Sequence, residues 1–230
     1  MSTYNIAGYA ADALSSLISE DVEFLRDLPK AELHAHLNGC IPISLLQKFA
    51  NEVDLSSSAV GSDAVKAGIE QLKAGVVLNE ISDFFGLFPA IYALTASPKT
   101  LAEAARAVLA QFLELDPIAP SGQPLAAYLE LRSTPRTNSN MSRRQYLEAV
   151  LEEVERYPAE KAALIVSLDR RMDAKTAEEV VGLAVELRKE GRRVVGVDLC
   201  GDPLVSASDS GLAMYLCATD VCVGRRYEQL

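Results

Sequence analysis

Two apolar runs, separated by one long amphipathic segment, constrain this chain more than any other feature. Ala162–Leu168 and Val194–Leu199 are nearly continuous in apolar residues, and Ala174–Glu190 between them spaces its apolar positions with a helical period. Strands apolar on both faces belong inside parallel sheets, where crossover helices cover them. Two more segments read as strands. Ala31–Leu37 alternates, with Leu33, Ala35 and Leu37 on one face and Glu32, His34 and His36 on the other; Leu125–Ser133 projects Glu130 and Arg132 to one side. Helices are expected near Ala11–Ser19, Asp21–Asp27, Ile43–Val53, Ala64–Lys73, Leu78–Ala93, Pro98–Glu114 and Ser142–Arg156. Ser97 followed by Pro98 reads as an N-cap with proline in the first helical position. Residues 56–62 and 116–124 read as loops.

Strands alternating with helices fit either an open doubly wound sheet or a (β/α)8 barrel. No glycine-rich dinucleotide turn follows the first strand, where His34-Ala-His-Leu-Asn-Gly39 stands instead, and the barrel is therefore expected. Four strands use the chain up to Leu199 of its 230 residues, whereas a complete barrel takes about 250. The expected fold class is α/β, an incomplete (β/α)8 TIM-type barrel with about the first half present.

Composition narrows the function classes. Twenty-two basic against 32 acidic side chains give a charge of −10, and without a block of Lys and Arg this argues against nucleic-acid binding. No apolar run approaches the ~18 residues of a membrane helix. Asp12, Glu20 and Asp21 precede the first basic residue, Arg26, the reverse of a secretory signal, so a cytoplasmic protein with reduced thiols is expected. Of the cysteines, Cys40, Cys200, Cys217 and Cys222, only the last two are close enough to suggest a metal pair. Their spacing lies at the loose edge of such patterns, and unpaired thiols are the preferred reading.

His34 and His36, at i and i+2 of the first strand, point the same way, at a separation suited to one divalent ion. Neutral imidazole suits zinc, iron or nickel. Two surface histidines on a short strand remain the alternative, but the end of a first barrel strand favours the metal reading. The phenylalanines at 84, 85 and 88 have helical spacing and read as core or a pocket lid rather than a base-stacking platform.

Leu28-Pro-Lys-Ala-Glu-Leu-His-Ala-His-Leu-Asn-Gly39 resembles the opening of the adenosine and AMP deaminase family of zinc hydrolases. Tyr128-Leu-Glu-Leu-Arg-Ser-Thr-Pro-Arg136 and Gly196-Val-Asp-Leu-Cys-Gly-Asp-Pro203 resemble its second and fourth strand ends. Together the three motifs are similar to the adenosine deaminase-like subgroup, which removes methylamine from N6-methyl-AMP. The resemblance implies that His34 and His36 are two zinc ligands and that His36 also lies beside the nucleotide. It places Asn38 where adenosine deaminases carry an aspartate against the 5′-hydroxyl; an uncharged amide there suits a 5′-phosphate. It makes Ser133, Thr134, Pro135 and Arg136 a substrate-contacting loop and adds Asp169 and Gly201 as contacts. Tyr92 stands where the subgroup often has histidine. Without the resemblance, Asn38-Gly39 reads as a turn, Asp169 as an ion-pair partner of Arg170 or Arg171, and Asp198 and Asp202 as loop-orienting groups. Arg143 and Arg144 read as a solvated helix face in either case.

The resemblance also implies a third zinc histidine, a proton-donating glutamate, an orienting histidine and a metal-binding aspartate from later strands. No histidine follows His36, so the zinc site is expected to be incomplete and no catalytic residue is assigned. The expected organisation is a helical segment at 1–27, a partial deaminase barrel at 28–204 and a tail at 205–230 outside the family pattern, read as the altered terminus of a truncated frame. Self-association through the open barrel edge is expected. The alternatives are a non-catalytic fragment that binds nucleotide or another chain, and a phosphoesterase that also opens with H-x-H.

Overall fold

The structure, a computed structural model, describes residues 8–55, 61–78, 81–115 and 123–201. In chain order the elements are α1 (Tyr9–Ser15), α2 (Ser19–Asp27), β1 (Ala31–His36), α3 (Leu37–Cys40), α4 (Ile43–Glu52), α5 (Asp63–Ala74), α6 (Ile81–Gly86) and α7 (Phe88–Leu94). There follow α8 (Pro98–Leu113), β2 (Tyr128–Ser133), α9 (Arg143–Val154), β3 (Ala162–Asp169), α10 (Ala174–Lys189) and β4 (Val194–Cys200). All four strands pair in parallel in the order β1-β2-β3-β4. A doubly wound sheet must reverse its strand order at a switch point, and this one never does. Each crossover steps onward in one sense, as in a closed barrel. The sheet is the first half of a TIM-type barrel.

Its outer face is the core. Leu129 and Leu131 of β2 and Leu164, Val166 and Leu168 of β3 are fully buried, and the apolar stripes of α8, α9 and α10 supply Leu101, Val108, Leu109, Leu147, Val150, Val180 and Leu187 to the same cluster. Ser97 caps α8, its side chain accepting the Thr100 N–H. Ser142 and Gln145 form a reciprocal capping box that starts α9. Within α9, Glu153 is buried, and Arg106 of α8 grips its carboxylate with two hydrogen bonds of 2.8 and 2.9 Å. At the α5–α7 crossing a side chain at Gly68 would stand 2.7 Å from the Ala90 Cβ, so glycine sets the closeness of that contact.

Three local expectations change. The helix expected over Leu78–Ala93 is two helices, broken at Leu87 because Pro89 lies in the first turn of α7 and has no N–H to continue the earlier helix. Asn38-Gly39 is a short helical turn rather than a two-residue turn. Strict alternation also fails on β1. Its pairing with β2 shifts register by one residue between Glu32 and Ala35, and Leu33, expected on the buried face with Ala35 and Leu37, is 48% exposed. An extra residue in one strand turns the side chains before it to the opposite phase.

Candidate active site at the strand ends

The carboxyl ends of the four strands open into a cavity of about 650 Å³. His34 and His36 both line it, their ring centroids 5.3 Å apart and tilted by 58°. Burial lowers the pKa of His36 below its ordinary 6.5, and the Asp198 carboxylate opposes that shift only in part. A neutral imidazole at neutral pH keeps a nitrogen lone pair for a ligand. Two imidazoles facing one cavity fit a zinc site as two of its donors. Among the described residues no cluster of three or more His, Cys, Asp or Glu is placed to hold a metal, whereas zinc normally takes at least three protein ligands. Among the described residues the pair alone falls short of that number.

Behind the histidines, Arg132 of β2 spans the sheet. Its Nη1 donates to Asp198 Oδ2 at 2.6 Å, and its Nε and Nη2 both donate to the Leu33 carbonyl at 3.0 and 2.8 Å. The other Asp198 oxygen is buried without a hydrogen-bond partner among the described residues.

Elsewhere in the cavity lining the character is cationic and aromatic. The Arg136 guanidinium lies 3.2 Å from the centroid of the Tyr92 ring, and its Nε is buried with no hydrogen-bond partner among the described residues. Asp169 ends β3 and accepts from Arg171 at Nε, Nη2 and the backbone N–H, at 2.9, 2.6 and 2.9 Å. These bonds hold its carboxyl below the ordinary carboxylate range. Gly201 has φ +111, and a Cβ there would lie 3.2 Å from Asp169 Oδ1 and 3.3 Å from the Arg170 amide nitrogen, so a glycine is needed at this turn. Phe84, Phe85 and Phe88 form part of the wall in a chain of ring contacts that ends on Tyr92.

The structure gathers His34, His36, Asn38, Thr134, Arg136, Asp169 and Gly201 around one cavity, and Ser133 borders it as well. Pro135 is buried and is not in the lining. Several of these side chains are already engaged. The Ser133 hydroxyl and the Tyr146 phenol share a 2.8 Å hydrogen bond, and Tyr146 also donates to Asn38 Oδ1 at 3.3 Å. Burial pushes the Tyr146 phenol up to about 12, so it remains a hydroxyl donor. Thr134 pairs with the Cys200 thiol at 3.3 Å, and Gly201 makes its close approach to Asp169. Arg144 pairs with Glu148 and Glu190 on the helical face, and Arg143 pairs with Glu179 but is only 18% exposed rather than solvated, because it packs at the start of α9. Cys40 and Cys200 are free thiols; Cys217, Cys222, Asp202 and the 205–230 tail lie outside the described residues. Sequence reasoning missed the Arg136–Tyr92 stack, the Arg132 bridge and the Tyr146 tie. Only Arg132 left a signal, as one of two charged residues, with Glu130, alternating with Leu129 and Leu131.

A family model described as adenosine deaminase matches residues 29–218. The adenosine deaminase-like protein of Drosophila pseudoobscura pseudoobscura is 35% identical over 186 residues, which cover 79% of this chain and 51% of that protein. The N6-mAMP deaminase of Arabidopsis thaliana is 33% identical over 211 residues, 80% of this chain and 55% of that one. The solved structure of Arabidopsis ADAL complexed with IMP superimposes with a TM-score of 0.66 at 33% identity, covering 86% of this chain and 57% of the other. The chain spans about half the length of the curated relatives it matches. Among the described residues no helix is long and apolar enough to cross a membrane.

Proposed function

Because this chain belongs to the adenosine deaminase family, we propose that it carries the first half of a purine nucleotide deaminase site, with N6-methyl-AMP as the matching substrate and IMP as the product. The observation that supports this best is one cavity lined by an imidazole pair together with guanidinium and aromatic groups. A 5′-phosphate meets Arg136, whose buried Nε has no hydrogen-bond partner among the described residues, and a fork of N–H donors suits phosphate oxygens. The purine lies between the Phe88 and Tyr92 wall and the histidines, with His36 at its edge. Asn38, fixed by Tyr146, presents an uncharged surface towards the ribose phosphate. Zinc is the group His34 and His36 would hold, and when bound it lowers the pKa of a water to about 7.

The chain on its own has two histidines, short of the ligands a catalytic zinc requires, and we propose that it binds nucleotide without turning it over. Titration calorimetry of the full chain with IMP and with inosine tests the reading. IMP is expected to bind more tightly, because only IMP carries the phosphate that Arg136 meets, and equal affinities would refute the phosphate assignment. Incubation with N6-methyl-AMP and Zn2+ is expected to yield no IMP; product formed in proportion to bound zinc would overturn the inactive reading.

A further inference from the structure

The register shift in β1 explains why the two imidazoles face the cavity, and the groups that stabilise it are few. Ala31 pairs with Tyr128, but Ala35 pairs with Leu131 and His36 with Arg132, one residue out of step. Continued without the shift, the first pairing would set His36 beside Ser133, whose hydroxyl is bonded to Tyr146 in the helix layer. Paired residues of neighbouring parallel strands point to the same side, so His36 would then turn towards the helices. The bulge is what directs it inward.

A bulge removes backbone groups from the ladder, and here charged side chains take them up. The His34 N–H donates to the Glu32 carboxylate at 2.7 Å. The Leu33 carbonyl accepts two bonds from Arg132, whose third arm is tied to Asp198 of β4. One guanidinium on β2 thus links the bulge of β1 to the inward-facing carboxylate of β4, with Arg132 only 22% and Asp198 17% exposed. Three simultaneous bonds need the planar fork of arginine, which lysine lacks.

We propose that Arg132, braced by Asp198, is the positioning residue of the histidine pair: it holds the β1 bulge and so sets both rings towards the cavity. This deepens the reading of the pair as metal donors and rests on it for its purpose, but not for its test. The chain contains only two histidines, so a ring-to-ring NOE between His34 and His36 can be read in the full-length protein without metal. The parent is expected to show it. Arg132→Met, with far-UV circular dichroism like the parent's, is expected to lose the NOE and to bind Zn2+ about 10- to 100-fold more weakly by calorimetry, the range for outer-shell partners of a metal site. Arg132→Lys should fall between. A folded Arg132→Met that keeps both the NOE and the parent's Zn2+ affinity overturns the proposal. If that variant does not fold, Asp198→Asn decides: a weakened NOE supports the brace, and an unchanged one refutes it. A parent that shows the NOE but takes up no Zn2+ refutes the metal-donor reading, and the NOE comparison then judges the positioning role alone.

Discussion

The two faces of the sheet differ in how they are satisfied. On the helix side, Leu129, Leu131, Leu164, Val166 and Leu168 are fully buried against complementary apolar stripes. On the cavity side stand His36, Arg132, Asp198 and Cys200, with Arg132 and Asp198 joined by a 2.6 Å hydrogen bond and Cys200 paired with Thr134. Ala163, Ile165 and Ser167 of β3 are the exception, buried on this face by their position between β2 and β4. The contrast teaches that stability and recognition lie on opposite faces of the same strands. Apolar packing tolerates no gap, whereas a binding face must leave polar atoms unfinished, as, among the described residues, Arg136 Nε and Asp198 Oδ1 are.

That division is testable. The largest effect is expected from Leu164→Ala, which empties a site on the helix side: about 2–5 kcal/mol lost in urea unfolding, with IMP affinity unchanged in whatever fraction stays folded. A loss of affinity there would show that the faces are coupled. Next comes Asp169→Asn on the cavity side, expected to cost about 1.5–3 kcal/mol at neutral pH because the Arg171 fork loses its charged acceptor. The carboxyl pKa is depressed in the folded state, so its contribution is present above its ordinary 3.8 and lost as the pH falls through the lower folded value. Parent and variant stabilities should therefore converge in acid; a difference that persists there would mean that shape rather than charge holds Arg171.

Tyr146→Phe sits between the two faces. Removing its hydroxyl breaks the bonds to Ser133 and Asn38 and is expected to cost about 1 kcal/mol, with a measurable drop in IMP affinity as Asn38 keeps only its bond to Thr95. Unchanged binding would confine Tyr146 to packing. The smallest effect is expected from Glu179→Gln, which weakens the pair between a half-exposed Glu179 and Arg143. Thermal melts should register about 0.2–1 kcal/mol at most.

Amphipathic and apolar periodicity by itself determined the strands and nearly all the helices, Ser97-Pro98 the cap of α8, and the lack of a glycine-rich turn after the first strand the barrel preference, since each follows from local chain chemistry. Spacing also placed His34 and His36 on one side of β1, and the family motifs pointed to residues that, Pro135 apart, converge on one cavity. Only the tertiary structure decided which way that side faces, because the register of β1 depends on Arg132 and Asp198, 66 residues apart in sequence. It likewise decided that Arg136 stacks on Tyr92, that Tyr146 holds Asn38 and that Glu153 is buried against Arg106. These are pairings between elements, set by how the helices dock on the sheet, and no local periodicity encodes them.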